Sequence, residues 1–416
     1  MELKRVVVTG IGALTPIGNN FQEFWNALTN GVSGAAPITL FDAGLFKTQF
    51  ACEVKNFNPE DYFDRREVRR LDRCGQLGIV AAREAVKHSG IIESNVNKER
   101  VGVIWGSGIG GIKTFEEEVS NYATGNGTPR FNPFFIPKMI ADITPGHISM
   151  EFGFMGPNYT TVSACASSTN ALIDALMLIR LGKADVIVSG GSEAAVTESS
   201  IGGFNAMHAL SVRNDDPKTA SRPFDKDRDG FVMGEGSAAI ILEEYEHAKA
   251  RGATIYAELI GGGMSADAHH LTAPHPEGIG AFNVMRNAIA DANIQIEEVD
   301  HINMHGTSTP LGDIAESKAI QKMFGAHTYN IQINSTKSMT GHLLGAAGAI
   351  EAASVIGAIM HGVVPPTINH FTDDENLDPK VNYTFNQAVK KEVNIGMSNT
   401  FGFGGHNACV VFRKMQ

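Results

Sequence analysis

Cysteine is scarce in this chain. Its four residues, Cys52, Cys74, Cys165 and Cys409, form no CxxC pair and no spacing that reads as a disulfide framework or a zinc site, so a reducing compartment is expected. A surplus of basic charge is missing too. The 34 Lys and Arg stand against 45 Asp and Glu, and a net charge of -11 argues against global affinity for nucleic acid or anionic membranes. No uninterrupted apolar run reaches membrane length, and no charged-then-apolar leader precedes the strand-like Val6 to Val8. A cytoplasmic protein without a membrane association is therefore expected. Nor is there a Pro/Ser-rich linker to tether separate modules.

Glycine, by contrast, is abundant. With 45 glycines and a hydrophobic fraction of 43%, the chain reads as compact, with tight turns and close backbone approaches. Its 416 residues exceed one ordinary domain, which points to two domains or two fused halves.

Strand-like runs (RVVVTG, VGVIWGSG, DVIVSGG, IYAELIGGG, HINMHGTS, ACVVF) alternate with helix-like segments such as EFWNALTNG and CGQLGIVAAREAVKHSG, the pattern of an α/β protein with buried sheets. The chain also faintly repeats itself. VVVTGIGALT resembles AELIGGGMSAD, VSACASSTNALIDAL has a counterpart in INSTKSMTGHLLGAAGAIEAA, and DVIVSGGSEA in VNIGMSNTFGFGG. Cys165 and His342 thus take equivalent places in two halves, expected to divide into residues 1–255 and 256–416. The stretch from Tyr122 to Pro145, with FNPFFIP, reads as a long functional or interfacial loop.

Cys165 stands where a β-branched run gives way to small residues opening a helix. Exposed N–H groups there favour a thiolate, and the flanking alanines and serines leave room for substrate. A buried structural cysteine is the plainer alternative. His305, in HINMHGTSTPLGD, lies at the mouth of a strand; His342, in NSTKSMTGHLLGAAGAIEAA, lies at the start of a small-residue helix. Each alone reads first as a satisfied polar residue at an element end.

The motifs VTGIGALTPIG, VSACASSTNAL, RPFDKDRDGFVMGEG, HGTSTPLGD, NSTKSMTGHLLGAAGAIEA and SNTFGFGGHN occur in order along essentially the whole chain. Together they resemble the β-ketoacyl-acyl-carrier-protein synthases, particularly the type II elongating class. The resemblance implies a thiolase-like fold, two related halves forming a layered α-β-α-β-α core, in a homodimer. It makes Cys165 the acyl-accepting nucleophile, with its N–H and that of Phe403 holding the thioester oxyanion and Phe403 belonging to a mobile gate. It places N–H donors of His305 and His342 on the malonyl oxygen as carbon dioxide leaves, with the pair Lys337 and Glu351 orienting His342. Thr307 and Thr309 would contact the pantetheine arm, while Ile109 and Phe401 would meet substrate, Ile109 at the bottom of the acyl pocket. No metal or cofactor is implied, because the leaving carboxylate supplies the carbanion.

Arg65, Arg66, Arg69, Arg70 and Arg73 space basic side chains along one helix-like stretch. Solvated charge is the ordinary explanation. The resemblance instead implies docking of the acidic acyl carrier protein, with Arg66, Arg69 and Arg70 as contacts; His208 departs from the arginine frequent at its position.

Competing readings rest on shorter signals. A short-chain reductase is imitated by TGIG and by Tyr245 with Lys249, and GSGIGG satisfies a dinucleotide pattern but lacks the acidic residue about 20 positions on. A biosynthetic thiolase needs a second cysteine as base, yet Cys409 sits in the apolar ACVVF. A non-catalytic partner subunit typically loses the nucleophile that is present here. A polyketide ketosynthase shares the same centre. A zinc site of Cys165, His305 and His342 would span unusually long separations.

Overall fold

The computed structural model describes residues 3–415. Ten strands make its main sheet: β1 Val6–Leu14, β2 Val101–Gly106, β3 Asn158–Thr161, β4 Val186–Glu193, β5 Gly236–Glu244, β6 Ala257–Ala266, β7 His301–Asn303, β8 Gln332–Asn334, β9 Ile395–Gly402 and β10 His406–Arg413. Their spatial order is β8-β7-β9-β10-β6-β1-β5-β4-β2-β3. From the centre outwards, β1-β5-β4-β2-β3 is matched by β6-β10-β9-β7-β8. The two sets run through the same sequence of neighbours, and they join where β1 pairs antiparallel with β6, Val8 opposite Ala257. The internal repeat is therefore a structural duplication.

The strands read as near-continuous apolar runs because both faces are covered. All nine residues of β1 are buried. Five helices account for most of the cover, α2 Arg73–Ser89, α3 Ser167–Arg180, α4 Ile279–Ala292, α5 Pro310–Phe324 and α6 Ala347–His361, while the short α1 Arg65–Arg70 buries no residue. Helix α2 packs outside the first set of strands and α4 outside the second, while α3 and α6 lie between the two sets. This is the expected α-β-α-β-α layering. Close approach in the middle layer depends on small residues: a β-carbon on Gly348 of α6 would strike the Thr169 hydroxyl of α3, and Ala349 N donates to Ser168 Oγ at 2.9 Å. Ile350, Val355, Ile356 and Ile359 of α6 are 3% exposed or less, each worth about 1.5–3 kcal/mol of burial. The helical stretch Leu344–His361 is long and apolar enough to cross a membrane, but 89% of it is buried inside the protein.

Two local expectations need correction. The stretch from Tyr122 to Pro145 is only partly a loop: helices Ile112–Thr124, Phe135–Met139 and Ile143–Phe152 leave 125–134 and 140–142 irregular. Pro145 falls in the first turn of its helix, where a missing N–H costs nothing. Arg73, in turn, does not belong to the basic strip. Leu71 ends α1 in extended backbone, Asp72 caps α2 by accepting from Cys74 N at 2.9 Å, and Arg73 turns inward onto the buried Glu235 with contacts of 2.5 and 2.7 Å.

Candidate active site

Cys165 and His342 each sit two residues ahead of a helical start, Ser167 of α3 for the first and the 3-10 turn Leu344–Ala346 leading into α6 for the second. Because those helices face each other in the middle layer, residues 177 positions apart meet: His342 Nε2 lies 3.1 Å from Cys165 Sγ. His305 follows β7, and its ring stands edge-on to that of His342 with centroids 5.2 Å apart. All three are buried at 9% exposure or less. They open onto one cavity of about 620 Å³, also lined by Ile109, Thr307, Thr309, Phe401 and Phe403.

Hydrogen bonds fix the histidine loops. Glu316, on α5, accepts from His305 N and Gly306 N, both at 2.9 Å. His342 is held by its backbone, N donating to Val232 O at 2.7 Å and O accepting from Gly234 N at 2.9 Å. Phe231 packs its ring 5.3 Å from that of His342, and Phe204 links Phe231 to Phe403 with centroids at 5.3 and 6.3 Å.

Burial dominates the electrostatics. It pushes the Cys165 thiol up to about 12, against the pull of the Lys337 ammonium and the Phe403 N–H. Desolvation of the sulfur therefore works against the thiolate that the exposed N–H groups favour. Burial, and then the charge of Lys337, also hold His342 well below the usual imidazole range; the same two causes, with His342 added, depress His305. Both rings are neutral at pH 7, so each carries one N–H. Lys337 and Glu351 form a buried ion pair, 1% and 3% exposed; both act on the sulfur, and Lys337 also on the two rings.

The N–H groups of Cys165 and Phe403 donate to no carbonyl or side-chain oxygen among the described residues, and that of Phe403 faces the sulfur. They are free to receive an oxyanion. Phe403 is followed by Gly404 and Gly405 at φ +87° and +75°, values that favour glycine.

Other expected residues take varied positions. Thr307 and Thr309 share a hydroxyl contact of 3.0 Å on the cavity wall. Ile109 lines the cavity and is 39% exposed in the single chain. Arg66, Arg69 and Arg70 are exposed on α1, Arg70 with its guanidinium 5.1 Å from the Phe134 ring centroid. His208 is exposed on the wall of the cavity at φ +53°.

Features behind the competing readings lie elsewhere or are occupied. Tyr245 and Lys249 lie on the short surface helix Tyr245–Ala250, away from the cavity. The amides of Gly108 and Ile109 in GSGIGG already donate to the Glu193 carboxylate, at 2.7 and 3.2 Å. Cys409 is buried in β10, where desolvation raises its thiol. Among the described residues no group of three or more His, Cys, Asp or Glu is arranged to hold a metal ion.

Glu193 and Glu316 escaped the sequence reading. Both are fully buried, and burial pushes each carboxyl up to about 7. A charged residue closing the apolar run DVIVSGGSE is the one sequence signal for Glu193; Glu316 lies 11 residues past His305 in an ordinary-looking helix and has none.

Residues 3–248 match the family model of the beta-ketoacyl synthase N-terminal domain, and residues 256–371 that of its C-terminal domain. The chain is 47% identical to the 3-oxoacyl-[acyl-carrier-protein] synthase 2 of Synechocystis sp., covering 100% of this chain and 99% of that protein. It is 46% identical to the protein of the same name from Coxiella burnetii, covering 100% of both. Among solved structures, the ishigamide ketosynthase/chain length factor superposes with a TM-score of 0.92 at 34% identity over 100% of both chains. A type II polyketide acyl-carrier protein in complex with its ketosynthase, bound to the hexaketide, gives 0.89 at 32% over 100% of both.

Proposed function

Because this chain belongs to the β-ketoacyl synthase family, we propose that it joins an acyl group to a malonyl unit in fatty acid elongation, working on thioesters of acyl carrier protein through Cys165, His305 and His342. The observation that carries the reading is the convergence of one sulfur and two neutral imidazoles on a single buried cavity.

In the first half-reaction the sulfur attacks the acyl thioester carbonyl. The thiol proton leaves as the new bond forms, and His342, 3.1 Å away, is the group within reach. The N–H groups of Cys165 and Phe403 hold the oxyanion, and the expelled carrier thiolate takes the proton back. In the second, the N–H groups of His305 and His342 hold the malonyl thioester oxygen while the C–C bond to the carboxylate breaks. The electron pair stays on the α-carbon, carbon dioxide departs, and that carbon attacks the acyl carbonyl on Cys165. Collapse releases the sulfur and a 3-oxoacyl-carrier two carbons longer. Neutral rings suit this role: each offers a donor in a dry site without protonating the carbanion.

Thr307 and Thr309 receive the pantetheine arm on the cavity wall, Ile109 and Phe401 meet the acyl chain, and Arg66, Arg69 and Arg70 offer cations to an acidic carrier. Lys337 and Glu351 orient His342. A cytoplasmic homodimer, divided into halves 1–255 and 256–416, accords with this reading. Polyketide ketosynthases share the architecture, but the full-length relatives named for fatty acid chemistry are more alike in sequence, at 46–47% against 32–34%.

The test uses purified protein with acyl-carrier and radiolabelled malonyl-carrier. Parent enzyme should yield labelled 3-oxoacyl product and Cys165→Ala none; condensation by the variant defeats the assignment.

A further inference from the structure

The RPFDKDRDGFVMGEG segment supplies none of the groups given a chemical step above, yet it meets both histidine-bearing loops. Immediately before it, Ser221 Oγ donates to Lys337 O at 2.6 Å, and within it Val232 and Gly234 grip the His342 backbone. On the other side, Arg222 N donates to Ser308 Oγ at 3.0 Å, and Gly230 N to Ser308 O at 3.2 Å.

Arg228 is the centre of this strap. Its guanidinium, on a residue 5% exposed, donates to the carbonyls of Thr309 at 3.3 Å, Pro310 at 3.0 Å and Asp225 at 2.6 Å. It also pairs with Asp374 at 2.6 Å and Asp313 at 3.3 Å. The turn it grips is not one a chain adopts freely, since Ser308 stands at φ +70°. Such backbone persists only where the surroundings over-determine it.

Resting on the reading that Thr307 and Thr309 receive the pantetheine arm, we propose that Arg228 is a positioning residue that sets where this turn stands, and through it the affinity for carrier-borne substrates. A planar fork with five donors serves three carbonyls and two carboxylates at once; an ammonium cannot.

The test compares malonyl decarboxylation by parent and Arg228→Lys on two substrates: malonyl-carrier, and a malonyl thioester of a plain alkyl thiol, which has no arm for the turn to hold. The KM for malonyl-carrier should rise about tenfold with kcat little changed, while kcat/KM for the armless thioester stays within about twofold of the parent. Thr309→Ala should give the same split, and the double variant should be no worse than Thr309→Ala alone, because both changes act through one contact. Equal loss on both thioesters, an additive double variant, or an unchanged KM would each overturn the proposal. Should Arg228→Lys fail to fold, Asp374→Asn removes only one anchor of the fork and must show the same split in smaller measure; no split there overturns it equally. A parent that leaves malonyl-carrier untouched would overturn the condensing reading itself, which tells the two failures apart.

Discussion

Gly402 presses against the nucleophile's own backbone: a β-carbon on it would stand 3.0 Å from the Cys165 amide nitrogen and 2.7 Å from the Ser163 carbonyl oxygen. The loop bearing Phe403 can thus bring its N–H beside that of Cys165 only because position 402 has no side chain. Gly402→Ala should force the two donors apart and slow acylation of Cys165 about 100-fold, the order of loss expected when an oxyanion donor is displaced. Self-acylation measured by mass spectrometry checks this; a variant acylated at the parent rate would show that the close approach is incidental.

A thiol held near 12 behaves predictably towards an alkylating agent. Well below that value the thiolate fraction grows tenfold per pH unit, so the rate of Cys165 alkylation by iodoacetamide should climb with a slope of about one in log units from pH 6 to 9. A plateau in that range would mean a standing thiolate–imidazolium pair in the resting enzyme.

Lys337 and Glu351 are buried together, and burial raises the Glu351 carboxyl to about 7 even with its partner present. Removing one member leaves the other without compensation, a loss of up to about 3 kcal/mol. Lys337→Met and Glu351→Gln should each melt below the parent, and the double variant should melt above the lower of the two. Thermal unfolding decides it, and strictly additive losses would deny the coupling.

Glu193 carries a pH signature. Its folded value of about 7 lies above the ordinary 4.5, so between those limits the native state binds a proton that the unfolded chain does not. Stability from this group is complete below pH 4.5 and is lost as pH rises towards 7, by roughly 1–3 kcal/mol. Glutamine keeps the neutral form at every pH. Relative to parent, the melting temperature of Glu193→Gln should therefore improve between pH 5 and 7.5; a constant difference would place the carboxyl's titration elsewhere.

What the sequence revealed follows from range. Local pattern, a strand or helix end among small residues, raised Cys165, His305 and His342 only as candidates; their roles came from the ordered motifs that resemble the ketoacyl synthases. Apolar runs and the repeat made an α/β protein of two related halves legible, and the resemblance supplied the layering. Arg73 misled because its spacing continues that of Arg66, Arg69 and Arg70, while the break at Leu71 depends on Asp72 capping a new helix and on Glu235, 162 residues away. The donors that favour a thiolate at Cys165 are visible in a sequence, whereas the desolvation that opposes it is not. Glu193 and Glu316 were missed for a related reason: a carboxylate that braces distant amides looks, residue by residue, like any other.

The matching order of the two sets of strands has a final implication. A perfectly symmetrical ancestor would present identical side chains where Cys165 and His342 now face each other. Two thiols could carry acyl groups but not cradle an enolate oxygen, and two imidazoles could do the reverse. Productive chemistry at this junction begins only when the copies disagree, so the enzyme's reactivity resides in a broken symmetry that the scaffold otherwise preserves.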